Sequence, residues 1–84
     1  MKIEQAARPL HKIADEITSS WPEPYFGAVP YISAMRRLNL ITDRYGREGA
    51  DDIVMYFLVN ARTWRGETAR RVKAELKKML EAAR

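Results

Sequence analysis

Apolar residues recur at steps of three and four in the first part of the chain, a spacing typical of one helical face. These positions are Ile3, Ala6, Ala7, Leu10, Ile13, Ala14 and Ile17. Pro9 interrupts the pattern, so it either lies in the first turn of a helix that begins near Ala7 or kinks a longer one. We expect the helix to end at Ser19, Ser20 and Pro22, because the residue before a proline avoids the α region.

A second helix is predicted to begin at Pro30, because proline fits the first position of a helix, where its missing N–H has no intrahelical partner. Its apolar positions are Tyr31, Ala34, Met35, Leu38, Ile41 and Tyr45. Gly46 supplies a C-terminal stop, since glycine readily adopts the left-handed conformation needed there. The linker GREG is short, so we expect the next helix to turn back against the second.

The segment ADDIVMYFLVNA differs from the others, because its apolar residues at 53–59 run without a polar break. Taken alone, such a run is consistent with a buried strand. The chain contains no second strand-like run, so we interpret the segment as a central helix that is apolar on most sides. Asp51 and Asp52 suit its N-terminus, where the helix dipole favours carboxylates. Such a helix needs partners all around it, which indicates a second subunit.

The last helix is predicted to follow NARTWRG, with Thr63 as a candidate N-cap. Its apolar face consists of Ala69, Val72, Leu76, Met79, Leu80 and Ala83. Glu67 and Arg71, and likewise Arg71 and Glu75, are spaced to pair along the helix. The sequence therefore predicts one all-α domain over residues 1–84, built from four helices and without a β-sheet.

The predicted connection between the first two helices is rich in aromatic residues and proline. The string SSWPEPYFGAVPY, residues 19–31, contains Trp21, Tyr25, Phe26, Tyr31 and three of the chain's four prolines. One interpretation is a plug in which Trp21, Phe26 and Val29 close one end of the core, because aromatic residues dominate burial in small domains. The other is a binding surface, since Tyr and Trp can stack on bases or fill a partner's groove, and prolines keep such a wall stiff.

The charge distribution and the lack of cysteine limit which ligands and stabilising sites are possible in this chain. Residues 1–61 hold seven Lys and Arg against eight Asp and Glu, whereas residues 62–84 hold eight against three. Only the C-terminal quarter can therefore act as an electrostatic footprint for an anion. The chain has no cysteine, so no disulfide or thiolate metal site can reinforce the core, and small domains without such support often oligomerise.

Catalytic chemistry finds little support in the sequence. His11 is the only histidine, and we interpret it as a surface partner of Asp15, because catalytic and metal sites need convergent groups. Asp51 and Asp52 point in different directions on a helix, which favours capping over acid–base work. No glycine-rich phosphate loop is present. We therefore expect no enzyme activity, no metal site and no cofactor.

Arginines cluster at the predicted start of the last helix. The string NARTWRGETARR contains Asn60, Arg62, Thr63, Trp64, Arg65, Arg70 and Arg71. A helix N-terminus offers unpaired N–H groups to an anion, Arg65 could clamp a phosphate or carboxylate, and Gly66 would permit close approach. A structural interpretation is also open, in which Trp64 packs into the core and Arg65 bridges to a carboxylate. The candidate carboxylates are Glu48, Asp51 and Asp52.

A helix-turn-helix is a further interpretation of the same region, because NARTWRG joins two helices of which the second is basic. However, the last helix has a full apolar stripe, and its charges are expected to pair internally, whereas a recognition helix needs a face free for bases. Nucleic-acid binding through Arg70, Arg71, Lys77 and Lys78 is therefore the third alternative.

Three strings, PYFGAVPYISAM, YFLVNARTWRGETAR and VKAELKKML, resemble a set of small proteins encoded by bacteriophages and prophages, over residues 9–80. The resemblance implies no particular fold, ligand or activity. It implies a phage accessory protein that acts in the cytoplasm of a bacterial host. Proteins of this kind commonly block host machinery, sequester a host defence signal or assist phage DNA metabolism.

From the residues and this resemblance we predict an oligomeric, non-enzymatic protein that binds an anionic, nucleotide-like ligand. The predicted ligand-binding residues are Tyr25, Phe26, Tyr31, Arg62, Trp64, Arg65 and Arg70. The alternative is a module that inhibits or adapts a host protein through the same aromatic surface. No apolar run reaches the length of a membrane span, and the N-terminus has no signal-peptide apolar segment, so we expect a cytoplasmic protein without membrane association.

Overall fold

The computed structural model describes residues 8–83 of the chain. Four α-helices form most of it: α1 (Leu10–Ser20), α2 (Val29–Met35), α3 (Ala50–Val59) and α4 (Glu67–Ala83). A 3₁₀ turn at Phe26–Ala28 precedes α2, and the strands β1 (Arg44–Tyr45) and β2 (Glu48–Gly49) form a hairpin before α3. The four predicted helices are confirmed, but the expectation that the chain forms no β-sheet was wrong.

The first helix begins later than its apolar pattern indicates. Pro9 has the extended conformation of a residue that precedes a helix (φ −59°, ψ 142°), so α1 starts at Leu10 rather than near Ala7. Its end at Ser20 agrees with the prediction. The remaining members of the predicted stripe, Ile3, Ala6 and Ala7, lie outside the described residues.

The second helix is shorter than predicted, because backbone groups after Met35 bond outside it. The N–H groups of Leu10 and His11 donate to the carbonyls of Asn39 and Leu38, at 2.9 and 3.0 Å. The Asp43 carboxylate accepts hydrogen bonds from the backbone N–H groups of Asn39 and Leu40. The segment after α2 is therefore held by α1 and by its own aspartate, and the predicted continuation of the helix to Gly46 was wrong.

Gly46 was predicted to end a helix, but the structure places it in a β-hairpin. Its φ of 63° is left-handed, as expected for a helix stop, but it lies in the turn of the β1–β2 hairpin. Arg44 pairs with Gly49 and Tyr45 with Glu48 in antiparallel register. The Ala50 N–H then donates to the Asp43 carbonyl at 2.8 Å, which closes the hairpin and places the start of α3.

The apolar run at 53–59 is a helix, as predicted, and Asp51 and Asp52 lie in its first turn. Its inner side carries Ala50, Ile53, Val54 and Phe57, all of which are buried. Its outer side is not covered by the described chain, since 41% of Tyr56 and 61% of Val59 are exposed.

The last helix begins at Glu67, directly after Gly66, which has a positive φ of 110°. Thr63 lies in the connector at 60–66 and is not its N-cap, so the predicted start near Thr63 was wrong. The helix buries Ala69, Val72, Leu76 and Met79 against α1 and α3. Leu80 is half-buried against the same core, and Ala83 is exposed.

Charged residues tie α1 to α4 across their outer edge. The Arg8 guanidinium donates to Glu16 at 2.8 Å and to Glu75 at 2.7 Å, and Arg71 also bonds to Glu16. Arg71 and Glu75 thus pair between helices, not with each other along α4 as the sequence indicated. Hydrogen bonds from Arg71 and then Arg8 hold the pKa of the Glu16 carboxyl below its ordinary value.

We predict that Glu16→Gln lowers the free energy of unfolding at neutral pH by about 0.5–1 kcal/mol, the upper range for a partly exposed ion pair. Because its folded-state pKa is depressed, Glu16 contributes this stability above its unfolded pKa of about 4.3, and the contribution is lost as the pH falls through the lower folded value. The melting temperatures of the parent and the variant should therefore converge in acid. Glu81→Gln, at an exposed position of α4, is the matched control and should keep the parent's free energy of unfolding at neutral pH.

Candidate functional site

Trp21 turns the aromatic loop inward. Its ring lies 5.7 Å from that of Trp64, with an angle of 11° between the planes, and meets the edge of Phe57 at 6.5 Å. The plug interpretation of the loop therefore holds for Trp21. It was wrong for the other two residues of the proposed plug, since 79% of Phe26 and 43% of Val29 are exposed.

Two aromatic rings project from the loop beside the end of α3. Tyr25 and Phe26 contact each other with centroids 4.8 Å apart. Gly27 permits this packing, because a Cβ there would lie 2.6 Å from both the Tyr25 ring and Asn60 Oδ1. The Asn60 amide is fixed in turn, since its Nδ2 donates to the Tyr56 carbonyl at 2.9 Å.

A cleft of about 320 Å³ separates the loop from the α3–α4 connector. We call it the loop–connector cleft. It is lined by Tyr25, Val59, Asn60, Arg62 and Thr63. The walls offer an aromatic face, a guanidinium, a carboxamide and a hydroxyl. These groups can stack on a planar ring, neutralise an anion and accept or donate hydrogen bonds.

A second, separate hollow of about 240 Å³ lies at the start of α4. We call it the helix-start depression. It is lined by Trp64, Arg65, Gly66, Ala69, Arg70 and Lys73. Lys73 Nζ donates to the Trp64 carbonyl at 2.6 Å. Partial burial, followed by repulsion from Lys77 and Arg65, lowers the pKa of Lys73. The depression is therefore a cationic environment.

The structure divides the predicted ligand-binding residues into groups. Tyr25 and Arg62 share the loop–connector cleft, and Phe26 lies beside Tyr25. Trp64, Arg65 and Arg70 line the helix-start depression. Tyr31 belongs to neither hollow, since it is half-buried with its ring 5.6 Å from that of Tyr56.

Sequence reasoning missed Val59 and Lys73 as lining residues. Both lie in helices, and their exposure depends on how those helices are rotated against the core. The proposed bridge from Arg65 to a carboxylate is absent from residues 8–83: the described salt bridges involve only Arg8, Arg71, Glu16 and Glu75.

Trp64 is a core residue, since only 2% of it is exposed. It stacks on Trp21 and meets the edge of Phe57 at 6.3 Å. Its indole Nε1 is buried, and no acceptor within the described part of the chain receives a hydrogen bond from it. An unpaired buried donor reduces the stability gained by burying the ring.

No group of three or more His, Cys, Asp or Glu side chains within residues 8–83 is arranged to hold a metal ion. None of the helices described here is long and apolar enough to cross a membrane.

The chain matches no protein-family model, and neither curated proteins nor solved structures include a significant match.

We predict that Trp64→Ala lowers the free energy of unfolding by about 3–5 kcal/mol, because it removes a buried aromatic side chain from the core. Trp64→Phe should cost distinctly less, since it keeps an aromatic ring and removes the unpaired N–H donor. Denaturant unfolding of both variants measures the difference. Equal losses would contradict the placement of the Trp64 ring in the core.

Proposed function

We propose that this protein works by binding, without catalysis, and that the loop–connector cleft takes a small anionic ligand with an aromatic ring, such as a nucleotide. One observation carries the proposal. Tyr25 and Arg62, which are far apart in the sequence, line the same cleft. An aromatic face and a guanidinium at one opening match the two chemically distinct halves of a nucleotide, its base and its phosphate.

Each wall of the cleft has a role in this proposal. The base stacks on Tyr25, and the phosphate is held by Arg62, whose planar guanidinium suits bidentate pairing with oxygen anions. Asn60 and Thr63 supply hydrogen bonds to the sugar or the base edge. The cleft is at the small end of the usual size range for ligand sites, which favours one mononucleotide over a larger ligand.

The setting we propose is that of a phage-type accessory protein in the cytoplasm of a bacterial host. In that setting, a small protein that holds a nucleotide without transforming it would sequester a host defence signal. The resemblance to phage-encoded proteins supports this setting.

We predict that Arg62→Ala weakens nucleotide binding by about 1.5–3 kcal/mol, the range for a hydrogen bond to a charged group. Tyr25→Ala should weaken it by about 1–3 kcal/mol, the range for a base stacked on an aromatic ring. Arg65→Ala is the matched control, because it removes the same charge from the neighbouring depression. Calorimetric titration with a panel of cyclic and linear nucleotides measures binding, and thermal melting should show that all three variants stay folded.

Gly27→Ala tests the same cleft without removing a ligand contact. The new methyl group must displace the Tyr25 ring or the Asn60 amide, so binding should weaken while the rest of the core stays intact. The cleft proposal is contradicted if no nucleotide binds the parent protein at millimolar concentration, or if Arg65→Ala weakens binding as much as Arg62→Ala.

The second candidate function is protein binding, and the exposure of the Phe26 ring favours it. We define the aromatic surface as Tyr25, Phe26, Tyr56 and Val59, all of which are exposed. Val59 and Tyr56 lie one turn apart on the outer side of α3, and Val59 shares the cleft with Tyr25. Exposed apolar side chains that cluster in this way are typical of interaction sites. The partner in this candidate is a host protein or a second copy of the chain.

We predict that the parent protein self-associates and that Val59→Lys weakens the association, because it places a charge in the contact while leaving the buried side of α3 unchanged. Sedimentation equilibrium over a range of concentrations measures the effect. Leu40→Lys is the control, because Leu40 is also exposed but lies outside the aromatic surface. A parent protein that remains monomeric at high micromolar concentration would contradict the prediction.

A further inference from the structure

The structure sorts the charges of α4 onto two flanks. Arg71 bonds to Glu16 of α1, and Glu75 bonds to Arg8, which lies just before α1. Arg70, Lys73 and Lys77 follow steps of three and four, so they share the other flank of the helix. Pairing of the α4 charges along the helix, as the sequence predicted, would leave few of them free for a nucleic acid. They pair instead with α1, and the pairing leaves the second flank to cations.

Arg65 extends this flank beyond the start of the helix. Arg65, Arg70 and Lys73 line one depression, and Lys73 and Lys77 are close enough that their charges repel. We call Arg65, Arg70, Lys73 and Lys77 the cationic stripe. The distance along the helix from Arg70 to Lys77 is about 10 Å at 1.5 Å per residue. Lys73 donates a hydrogen bond to the neutral Trp64 carbonyl and lies 6.0 Å from the centroid of the Trp64 ring, so its partners in the described structure are not carboxylates.

The carboxylates nearest to the stripe lie at its margins. Glu67 shares a shallow hollow with Arg70 and Arg71, and Glu81 lies one turn beyond Lys77. None of the four cations of the stripe forms a salt bridge within residues 8–83. The stripe therefore has a net positive charge that no described carboxylate neutralises.

We propose that the cationic stripe binds the phosphate backbone of a nucleic acid. A row of cations on a straight helix complements a row of regularly spaced phosphates, and such contacts supply most of sequence-independent affinity. Contacts to phosphates carry no sequence information, so binding through the stripe should not depend on sequence. This surface is separate from the loop–connector cleft and does not depend on the function proposed for it.

A membrane surface is a poorer match for the same stripe. Helices that bind membrane interfaces insert an apolar face beside their basic residues. The apolar face of α4 is buried against the core, and the exposed large hydrophobic residues lie elsewhere. They are Tyr25, Phe26, Val29, Leu40, Tyr45, Tyr56 and Val59. The stripe can therefore attract anionic headgroups but has nothing to insert between them.

The test is fluorescence anisotropy with two labelled DNA duplexes of equal length and unrelated sequence, over a series of salt concentrations. We expect the two duplexes to bind equally. The logarithm of the association constant should fall with the logarithm of salt concentration with a slope of roughly −3, as three or four neutralised phosphates imply. The double variant Arg70→Gln with Lys77→Gln should reduce that slope by roughly 2.

Lys78→Gln is the matched control, because Lys78 carries the same exposed charge but lies roughly 100° around the helix from Lys77. It should keep the parent slope, and thermal melting should be unchanged for all these exposed positions. The proposal is overturned if the parent does not bind DNA at low salt, or if Lys78→Gln weakens binding as much as Lys77→Gln alone. Tighter binding to phosphatidylserine vesicles than to DNA, with the same dependence on Lys77, would overturn it in favour of a membrane surface.

Discussion

The stack of Trp21 on Trp64 is the interaction on which both hollows depend. It joins the loop after α1 to the connector before α4, and Phe57 from α3 closes the cluster against the edges of both rings. Because the loop is anchored at Trp21, the residues that follow it reach the end of α3, where Tyr25 faces Arg62. Because the connector is anchored at Trp64, Arg62 and Arg65 open into separate hollows on its two sides. One buried and one half-buried indole thus position residues of both hollows.

The arginines of this chain serve different purposes that their sequence context does not distinguish. Arg8 and Arg71 neutralise Glu16 and Glu75 and fasten α1 to α4. Arg62 and Arg65 have no such partner among the described residues, and they lie beside the hollows. These ion pairs involve Arg71 and Glu75 on one flank of α4, so the cations on its other flank form none of the described salt bridges. Helix packing therefore also determines where positive charge remains for a partner.

Much of the fold follows from local patterns. Steps of three and four identified α1, α2 and α4, and the unbroken run at 53–59 was correctly assigned to α3 because no second strand-like segment exists to pair with it. The same reasoning failed after Met35, where the apolar spacing continues to Tyr45 but the backbone leaves the helix. The Asp43 carboxylate and the first N–H groups of α1 take over the hydrogen bonds there. The spacing of apolar side chains carries no information about these competing hydrogen bonds of the backbone.

The sequence by itself determined that the chain is helical, that four of its aromatic residues lie within residues 19–31, and that its positive charge concentrates after Ala61. Only the tertiary structure decided which aromatic rings are buried and which arginines are paired. Trp21 and Phe26 come from one loop, yet Trp21 packs against the core and Phe26 is exposed, because the loop meets the core at Trp64 and then turns outward. Burial and pairing depend on contacts between segments distant in sequence, and local patterns do not specify them.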